Sequence, residues 1–279
     1  MKMPMPFDNS FFCRKFLTGD SYRSPALPPA PPPAWWRSCA FYYRLFLGPV
    51  RWLCAKAARG ECSDAAWVHA SAWVGELMEG LGCPILIDGM DQFDRLEGPC
   101  LFVGNHMSTL EIFLLPSIIR PHRPVTFVVK KSLTTMPFFG AVMRSRDPIV
   151  VERVNPRQDL TAVLEGGQRL LAKGVSVIVF PQSTRSRQFN EEHFNTIGIK
   201  LARKAGVPVV PVALKTDAWG KGRRVKELGP MRPGMPVRFA FGEALSVQGN
   251  GKAEHAAVCD FIRDRLARWE AEDGVNGEP

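Results

Sequence analysis

The pattern of apolar residues changes near residue 83. Beyond that point, short apolar runs alternate with segments in which apolar residues recur at helical spacing. The helical segments begin near residues 109, 157, 194 and 253. The apolar runs predict strands at residues 85–87, 100–104, 125–129, 148–152, 175–180, 207–214 and 237–242. This alternation predicts an α/β fold in which helices flank a mixed, mostly parallel sheet.

The first 82 residues have a different pattern. Residues 1–34 end in a stretch with six prolines and are predicted to be a disordered, Pro-rich tail, because proline donates no backbone hydrogen bond. Residues 35–59 interleave aromatic residues with basic ones, and Gly48-Pro49 predicts a kink. A second helix over residues 63–81, capped by Ser63 or Asp64, completes a predicted helical hairpin over residues 35–82. The α/β domain then occupies residues 83–279.

Positive charge is concentrated in two blocks of a chain whose formal net charge is +9. Residues 1–60 hold nine basic and two acidic side chains, and residues 120–157 hold eight and two. Such a surplus indicates an anionic partner, either nucleic acid or a lipid surface.

The hairpin favours the lipid surface. Arg37, Arg44 and Arg51 are seven residues apart, which places them on one helical face beside a Trp- and Phe-rich flank, as in an interfacial helix that contacts anionic membrane lipids. The alternative is a hairpin packed on its own domain with a solvated arginine face. Nucleic acid is disfavoured, because aromatic and basic residues interleave only in this hairpin.

Several other classes are excluded by missing patterns. No run of about 20 nearly uncharged apolar residues could span a bilayer, and charged residues interrupt the only candidate signal peptide. The seven cysteines are scattered without a C-x-x-C pair, which argues against a disulfide framework or a zinc site and fits a reducing cytoplasm. Nucleotide-binding and serine-hydrolase motifs are missing. We therefore expect no metal and no bound cofactor.

The most informative loop follows the strand at residues 100–104. It contains His106 and, five residues later, Glu111, which suits a general base held in one tautomer by a carboxylate. Ser108 and Glu111 also have the spacing of a capping box, in which the glutamate only caps the next helix. Both interpretations remain open on the pattern alone.

Two further strand ends carry polar groups. After residues 175–180 come hydroxyl side chains and Arg185, whose planar fork suits a phosphate, although a surface turn with a solvated arginine has the same pattern. Lys130 and Lys131 follow the strand at residues 125–129, where lysines are commonly solvated edge residues.

These residues carry a resemblance to the lysophosphatidic acid acyltransferase family of glycerolipid acyltransferases, which covers roughly residues 40–245. Four motifs of the family occur in order. NHxSxxD matches residues 105–111 with Glu111 in place of aspartate; a lysine followed by a PFFG turn and a strand ending in arginine matches Lys130, residues 137–140 and Arg153; FPEGTRS matches residues 180–186; and VPVxPV matches residues 207–212.

The resemblance implies transfer of an acyl group from acyl-CoA or acyl carrier protein to the free hydroxyl of a lysophospholipid, with phosphatidic acid formed from lysophosphatidic acid as the first expectation. It implies that His106 is the base, that Glu111 orients it, and that Lys130 stabilises the oxyanion, with phosphate binding as its alternative role. Arg185, aided by Arg153, then holds the acceptor's phosphate. The remaining acceptor-binding residues implied are Asn105, Ser108, Gln182, Ser183 and Thr184. The expected location is the cytoplasmic face of a membrane, the inner membrane if the source is bacterial, as a peripheral or monotopic protein.

Two departures from the family pattern bear on function. Glu111 is one methylene longer than aspartate and can still accept from the imidazole, so activity is expected to survive; glutamate is also the usual acid in the similar lipid A late acyltransferases. Gln182-Ser183 replaces Glu-Gly, which removes a negative charge and a flexible backbone position. A different lysolipid acceptor is therefore one alternative, and a non-catalytic lipid-binding membrane protein of the same fold is another.

Overall fold

An eight-stranded sheet organises the protein, for which the computed structural model describes residues 19–27, 29–32, 34–137, 139–182 and 184–275. The strand order is β1-β2-β8-β7-β3-β6-β4-β5. All neighbouring pairs are parallel except β1 with β2 and β7 with β8. The strands are β1 (Ser21–Arg23), β2 (Ile85–Asp88), β3 (Leu101–Gly104), β4 (Val125–Lys130), β5 (Ile149–Val151), β6 (Ser176–Val179), β7 (Val209–Lys215) and β8 (Val237–Phe241). The predicted α/β class with a mixed, mostly parallel sheet is confirmed.

Ten α-helices are present in the described residues. They are α1 (Trp35–Leu45), α2 (Arg51–Ala58), α3 (Asp64–Glu79), α4 (Asp91–Asp94), α5 (Leu110–Ile119), α6 (Lys131–Thr135), α7 (Phe139–Arg144), α8 (Pro156–Ala172), α9 (Ile197–Ala205) and α10 (Lys252–Val275). A π-helical segment, Phe46–Val50, joins α1 to α2, and a short 3-10 helix spans Glu191–His193. Within the described residues, no helix combines the length and apolar character needed to cross a bilayer.

Each face of the sheet has its own apolar core, because side chains alternate along a strand. In β3, Phe102 packs into the core beneath α1, α2, α3 and α5, while Leu101 and Val103 pack into the core beneath α8, α9 and α10. We call these the hairpin face and the closing-helix face. Burial on both sides explains why these strands are continuous apolar runs in the sequence.

The hairpin contains a break at the position that the sequence indicates. Gly48, with φ −91° and ψ −110°, interrupts the helix between α1 and α2. The single arginine face predicted across residues 37–51 is therefore not formed by one continuous helix. Ser63 caps α3 by accepting a hydrogen bond from the Ala66 amide at 3.2 Å.

The disordered segment predicted over residues 1–34 is corrected at residues 21–23, which form a strand, while residues 1–18 lie outside the described residues. Ser21–Arg23 forms β1 and pairs antiparallel with β2. The Tyr22 hydroxyl and the Ser24 hydroxyl both donate to Glu79 of α3, at 2.8 and 2.6 Å. The strand depends on partners outside the tail, so its own composition does not reveal it.

Several cations of the second positive block have structural contacts. Arg120 and Arg146 donate to Asp64 at the start of α3. Arg123 donates to backbone carbonyls, including that of Leu96 at 3.1 Å, and Arg144 donates to the Thr134 carbonyl. Half of the block's eight cations thus join segments of the protein itself.

Candidate active site

Five adjacent parallel strands end at the same edge of the sheet and bring the chemistry-bearing residues together. In spatial order they are β7, β3, β6, β4 and β5. Polar residues lie at or just beyond their carboxyl ends, the usual position of a ligand site in a parallel sheet. They are Thr216, residues 105–111, residues 180–182 and 184–186, Lys130 and Arg153.

His106 and Glu111 are in direct contact. The Nδ1 of His106 lies 2.5 Å from Oε2 of Glu111, and the glutamate side chain is fully buried. A carboxylate only accepts hydrogen bonds, so the proton lies on Nδ1 and the lone pair of Nε2 is left to accept a proton. This is the base-and-orienter arrangement that the sequence spacing indicates.

The other oxygen of Glu111 holds the loop. Its Oε1 accepts from the amides of Met107 at 2.8 Å and Ser108 at 2.7 Å, and from the Thr216 hydroxyl at 2.6 Å. The contacts expected from both interpretations of Glu111 are therefore present, because one oxygen contacts His106 while the other accepts from amides just before α5. With four donors around it, the buried carboxylate has the partners that its charge requires.

Three contacts from the loop after β6 hold His106 in place. The ring of Phe180 stacks on it, with centroids 4.5 Å apart and planes 6° from parallel. The backbone amide of His106 donates to Oε1 of Gln182 at 2.6 Å, and its carbonyl accepts from the Ser186 amide at 2.9 Å. The loops after β3 and β6 are thereby joined.

Three residues expected to bind substrate have contacts within the protein. The side-chain amide of Asn105, 2% exposed, donates to the Leu214 carbonyl and accepts from the Leu214 amide, both at 2.8 Å. The Ser108 hydroxyl donates to Thr216 and accepts from the Leu110 amide. Gln182 is buried and uses its carbonyl oxygen on His106. Asn105 and Ser108 do not line the cavity described below, so their expected contact with substrate is corrected. Gln182 does line that cavity, and its contact with substrate stays a prediction.

Arg185, the residue predicted to bind phosphate, has two partners within the protein. Arg185 donates through one terminal nitrogen to the Thr109 hydroxyl and through the other to Oε1 of Glu227, the latter at 2.6 Å. Arg185 and Thr184 both line the large cavity described below. Ser183 lies outside the described residues.

Lys130 and Arg153 line the same cavity from the ends of β4 and β5. Both are exposed, and Arg153 has a positive φ of 60°, supported by Asp159, whose carboxylate accepts from the Arg153 amide at 2.8 Å. β4 is two strands from β3, so Lys130 begins roughly 10 Å to the side of the His106 strand.

A cavity of about 1820 Å³ connects these residues to the hairpin. Drug-sized ligand pockets commonly occupy about 300–1000 Å³, so this space is large enough for a lipid. One end carries His106, Arg185 and Lys130. The apolar lining includes Leu45, Phe46, Val50, Leu53, Trp67, Val74, Phe113, Leu133, Phe139 and Val142.

Four residues of the site were not identified from the sequence. They are Thr109, Phe180, Thr216 and Glu227. Thr216 follows a buried strand directly, as His106 does, so the same strand-end rule would have found it. Glu227 has no comparable signal, because it lies in the long connection between β7 and β8.

Comparison with known proteins agrees with this geometry. Residues 85–215, slightly less than half of the chain, match the family described as Acyltransferase. The chain is similar to the 1-acyl-sn-glycerol-3-phosphate acyltransferase of Pseudomonas aeruginosa, with 28% identity over 207 residues, 74% of each chain. It is also similar to that of Chlamydomonas reinhardtii, with 33% identity over 186 residues, 66% of this chain and 52% of the relative.

A solved structure shares the fold. The crystal structure of the 1-acyl-sn-glycerophosphate (LPA) acyltransferase PlsC from Thermotoga maritima matches with a TM-score of 0.66 at 18% identity, covering 85% of this chain and 95% of that one. At this identity the likeness concerns the fold. The resemblance to the lysophosphatidic acid acyltransferase family and the predicted enzyme class, an acyltransferase, are confirmed.

Proposed function

We propose that this protein transfers a fatty acyl group from a thioester donor, acyl-CoA or acyl carrier protein, to the free hydroxyl of lysophosphatidic acid, forming phosphatidic acid for phospholipid synthesis. The observation that carries the proposal is the buried pair of His106 and Glu111 at the polar end of a large, mostly apolar cavity. The names of the relatives support the choice of acceptor.

In the proposed reaction, Nε2 of His106 takes the hydroxyl proton while the hydroxyl oxygen attacks the thioester carbonyl carbon. Glu111 stabilises the imidazolium that forms. The tetrahedral intermediate then collapses with cleavage of the carbon–sulfur bond, and the departing thiolate takes the proton from His106. No bound cofactor is needed, because the thioester is itself the co-substrate.

The cations are assigned by position. Arg185, aided by Arg153, holds the acceptor's phosphate, with Thr184 beside it in the cavity lining. Lys130 stabilises the developing oxyanion. A Lys130→Ala variant separates this role from phosphate binding, since losing an oxyanion contact lowers kcat, whereas losing a phosphate contact raises the acceptor KM.

We further propose that the hairpin places the enzyme on the cytoplasmic face of a membrane rich in anionic lipids, as a peripheral or monotopic protein. Trp35 is 80% exposed and Tyr43 is 68% exposed, which suits contact with headgroups. The cavity opens at an apolar rim, because five apolar residues both line it and are exposed. They are Phe46, Met136, Val154, Val225 and Leu228.

A different lysolipid acceptor is the second candidate, and Glu227 favours it. Its carboxylate forms an ion pair with the guanidinium of Arg185. The negative charge of Glu227 would disfavour binding of a doubly charged phosphate, whereas a headgroup that carries its own cation would still be accepted. A non-catalytic role receives less support, because the altered residue Gln182 retains an oxygen that holds His106.

The test is an acyl-transfer assay with purified protein, labelled acyl-CoA or acyl carrier protein, and a panel of lysolipids with and without headgroup amines. Product masses identify the acceptor. His106→Ala should lose about 10²- to 10⁴-fold in rate while its melting temperature stays at the wild-type value. Full activity of that variant would refute the site, and inactivity of the wild type on every pair would favour a non-catalytic protein.

A further inference from the structure

A basic loop lies at the mouth of the cavity and is not explained by the reaction. Residues 220–229, here the basic loop, carry four cations and one carboxylate. All four cations are exposed, and within the described residues none of them forms an ion pair or a side-chain hydrogen bond. They are Lys221, Arg223, Arg224 and Lys226.

The loop has a defined shape. A Cβ on Gly222 would lie 2.0 Å from the Val225 carbonyl oxygen, and one on Gly229 would lie 1.9 Å from that of Gly220, so only glycine fits these close approaches. The buried ring of Trp219 donates from Nε1 to the Glu227 carbonyl at 2.8 Å. The cations are therefore presented on a tight turn attached to the core.

The loop also adjoins the aromatic helix α1. The Tyr42 hydroxyl donates to the Gly229 carbonyl at 2.6 Å, and the Ser38 hydroxyl accepts from the Met231 amide at 2.9 Å. On α1, Trp35 and Trp36 are exposed. The basic loop thus continues a surface on which large apolar side chains meet solvent.

Apolar residues stand among the cations themselves. Val225 is 51% exposed and Leu228 is 41% exposed, and both line the cavity. Cations that meet phosphates, combined with apolar side chains that enter the headgroup region, are what a lipid surface requires. An acidic protein would complement the cations but would leave the apolar side chains without a partner.

We propose that the basic loop is a docking surface for anionic phospholipids, which sets the cavity mouth against the bilayer together with α1. The inference rests on the proposed function, because only a lipid acceptor requires the mouth to face a membrane. The attached Glu227 contacts Arg185, so the docked loop borders the headgroup end of the cavity.

The test measures binding of the full chain to sedimentable vesicles, either phosphatidylcholine alone or phosphatidylcholine mixed with phosphatidylglycerol. The loop variant is Lys221→Gln/Arg223→Gln/Arg224→Gln/Lys226→Gln. The control removes the same charge from exposed positions on or beside α8, α9 and α10: Lys173→Gln/Lys204→Gln/Lys252→Gln/Arg268→Gln. Each cation near an anionic surface strengthens binding, so the loop variant should bind mixed vesicles roughly 10- to 100-fold more weakly than the control.

Binding of the loop variant equal to that of the control would overturn the inference. The inference would also be overturned if the loop variant bound vesicles normally and lost its rate with acyl carrier protein but not with acyl-CoA. The loop would then dock an acidic protein and not a lipid. Vesicle binding needs no turnover, so an inactive wild type whose binding still depends on the loop would refute the proposed function and leave this inference intact. The kcat on a water-soluble, short-chain lysophosphatidic acid should be unchanged in Arg223→Gln/Arg224→Gln, because these two arginines do not line the cavity.

Discussion

Two polar clusters meet at the end of β7, and they differ in how their charges are compensated. Lys215 ends the strand and contacts Asp273 of α10 on the closing-helix face, at 2.5 Å. The next residue, Thr216, contacts Glu111 on the hairpin face. The alternation of side chains along a strand separates the two clusters by one residue. We call them the ion-pair cluster (Arg187, Lys215, Asp217, Arg232, Arg238, Glu272 and Asp273) and the catalytic cluster (His106, Ser108, Glu111 and Thr216).

The difference lies in how each carboxylate is compensated. In the ion-pair cluster, cations neutralise the carboxylates, and no member lines the cavity. In the catalytic cluster, Glu111 is held by amides and a hydroxyl, which leave its negative charge available to His106. The ion pairs of Asp273 join α10 to the sheet. The charge of Glu111, which has neutral donors besides His106, can instead stabilise a positive charge on the imidazole.

Removing the charge of Glu111 should have the largest effect. Glu111→Gln keeps the shape but cannot stabilise an imidazolium, so we expect kcat to fall about 10²- to 10⁴-fold. Steady-state kinetics measure this, and thermal unfolding should show a stable protein. A variant that keeps more than about a tenth of the wild-type kcat would mean that the charge is dispensable.

Breaking the ion-pair cluster should affect stability and leave the chemistry intact. Asp273→Ala leaves Lys215 and Arg238, whose side chains are 9% and 8% exposed, without one carboxylate partner. We expect the free energy of unfolding to fall by about 2 kcal/mol. Denaturant unfolding measures this, with Glu270→Ala on the same helix as the control. An equal effect of both variants would show that the ion pairs contribute nothing specific.

The Thr216 hydroxyl tests whether the neutral donors matter. Thr216→Val removes one donor from Glu111 at nearly constant volume, and we expect kcat to fall roughly tenfold. Thr216→Ser keeps the hydroxyl and should restore most of the rate. If the serine variant is as slow as the valine variant, packing rather than hydrogen bonding explains the loss.

Glu227 offers a smaller effect whose sign is informative. Glu227→Gln removes the carboxylate that occupies Arg185, so the KM for a phosphate-bearing acceptor should fall about threefold with kcat unchanged. Arg185→Ala should raise the same KM. A higher KM in Glu227→Gln would instead mean that Glu227 orients the arginine for its ligand.

Asp64 is a half-exposed counterpart of the buried ion pairs. Burial raises the pKa of its carboxyl, but hydrogen bonds and charge from Arg120 and Arg146 outweigh this and hold the pKa below its usual value. The pair therefore stabilises the fold above about pH 4 and loses this contribution as the pH falls through the lowered pKa.

We expect Asp64→Asn to cost less than about 1 kcal/mol at pH 7, because the carboxylate is 44% exposed and screened by solvent. Unfolding experiments across acidic pH measure this. The wild type and the variant should become equally stable at the lowest pH, and a difference that does not depend on pH would exclude the charge as the cause.

Sequence patterns predict the parts of this protein that depend on local order. The runs at residues 100–104 and 175–180 correspond to β3 and β6, because strands buried on both faces are apolar at every position. His106 and Glu111 are close in sequence, so their spacing indicates a contact across one turn. β1 escapes prediction, because three polar-flanked residues form a strand only against β2.

The direction of each side chain is not predicted by a motif. Asn105 and Ser108 belong to the same motif as His106, yet they contact Leu214 and Thr216 after the neighbouring strand β7. Their assignment to substrate was wrong because motif membership does not distinguish a residue that touches a ligand from one that supports the loop.

The sequence by itself determined the main strands and helices from residue 83 onward, the pairing of His106 with Glu111, and the aromatic, basic character of the hairpin. Only the tertiary structure decided how the buried charge of Glu111 is compensated. Its donor Thr216 is 105 residues away along the chain and arrives because β7 lies beside β3. A buried carboxylate takes its partners from whichever strand ends the crossovers place around it, and no local pattern records that choice.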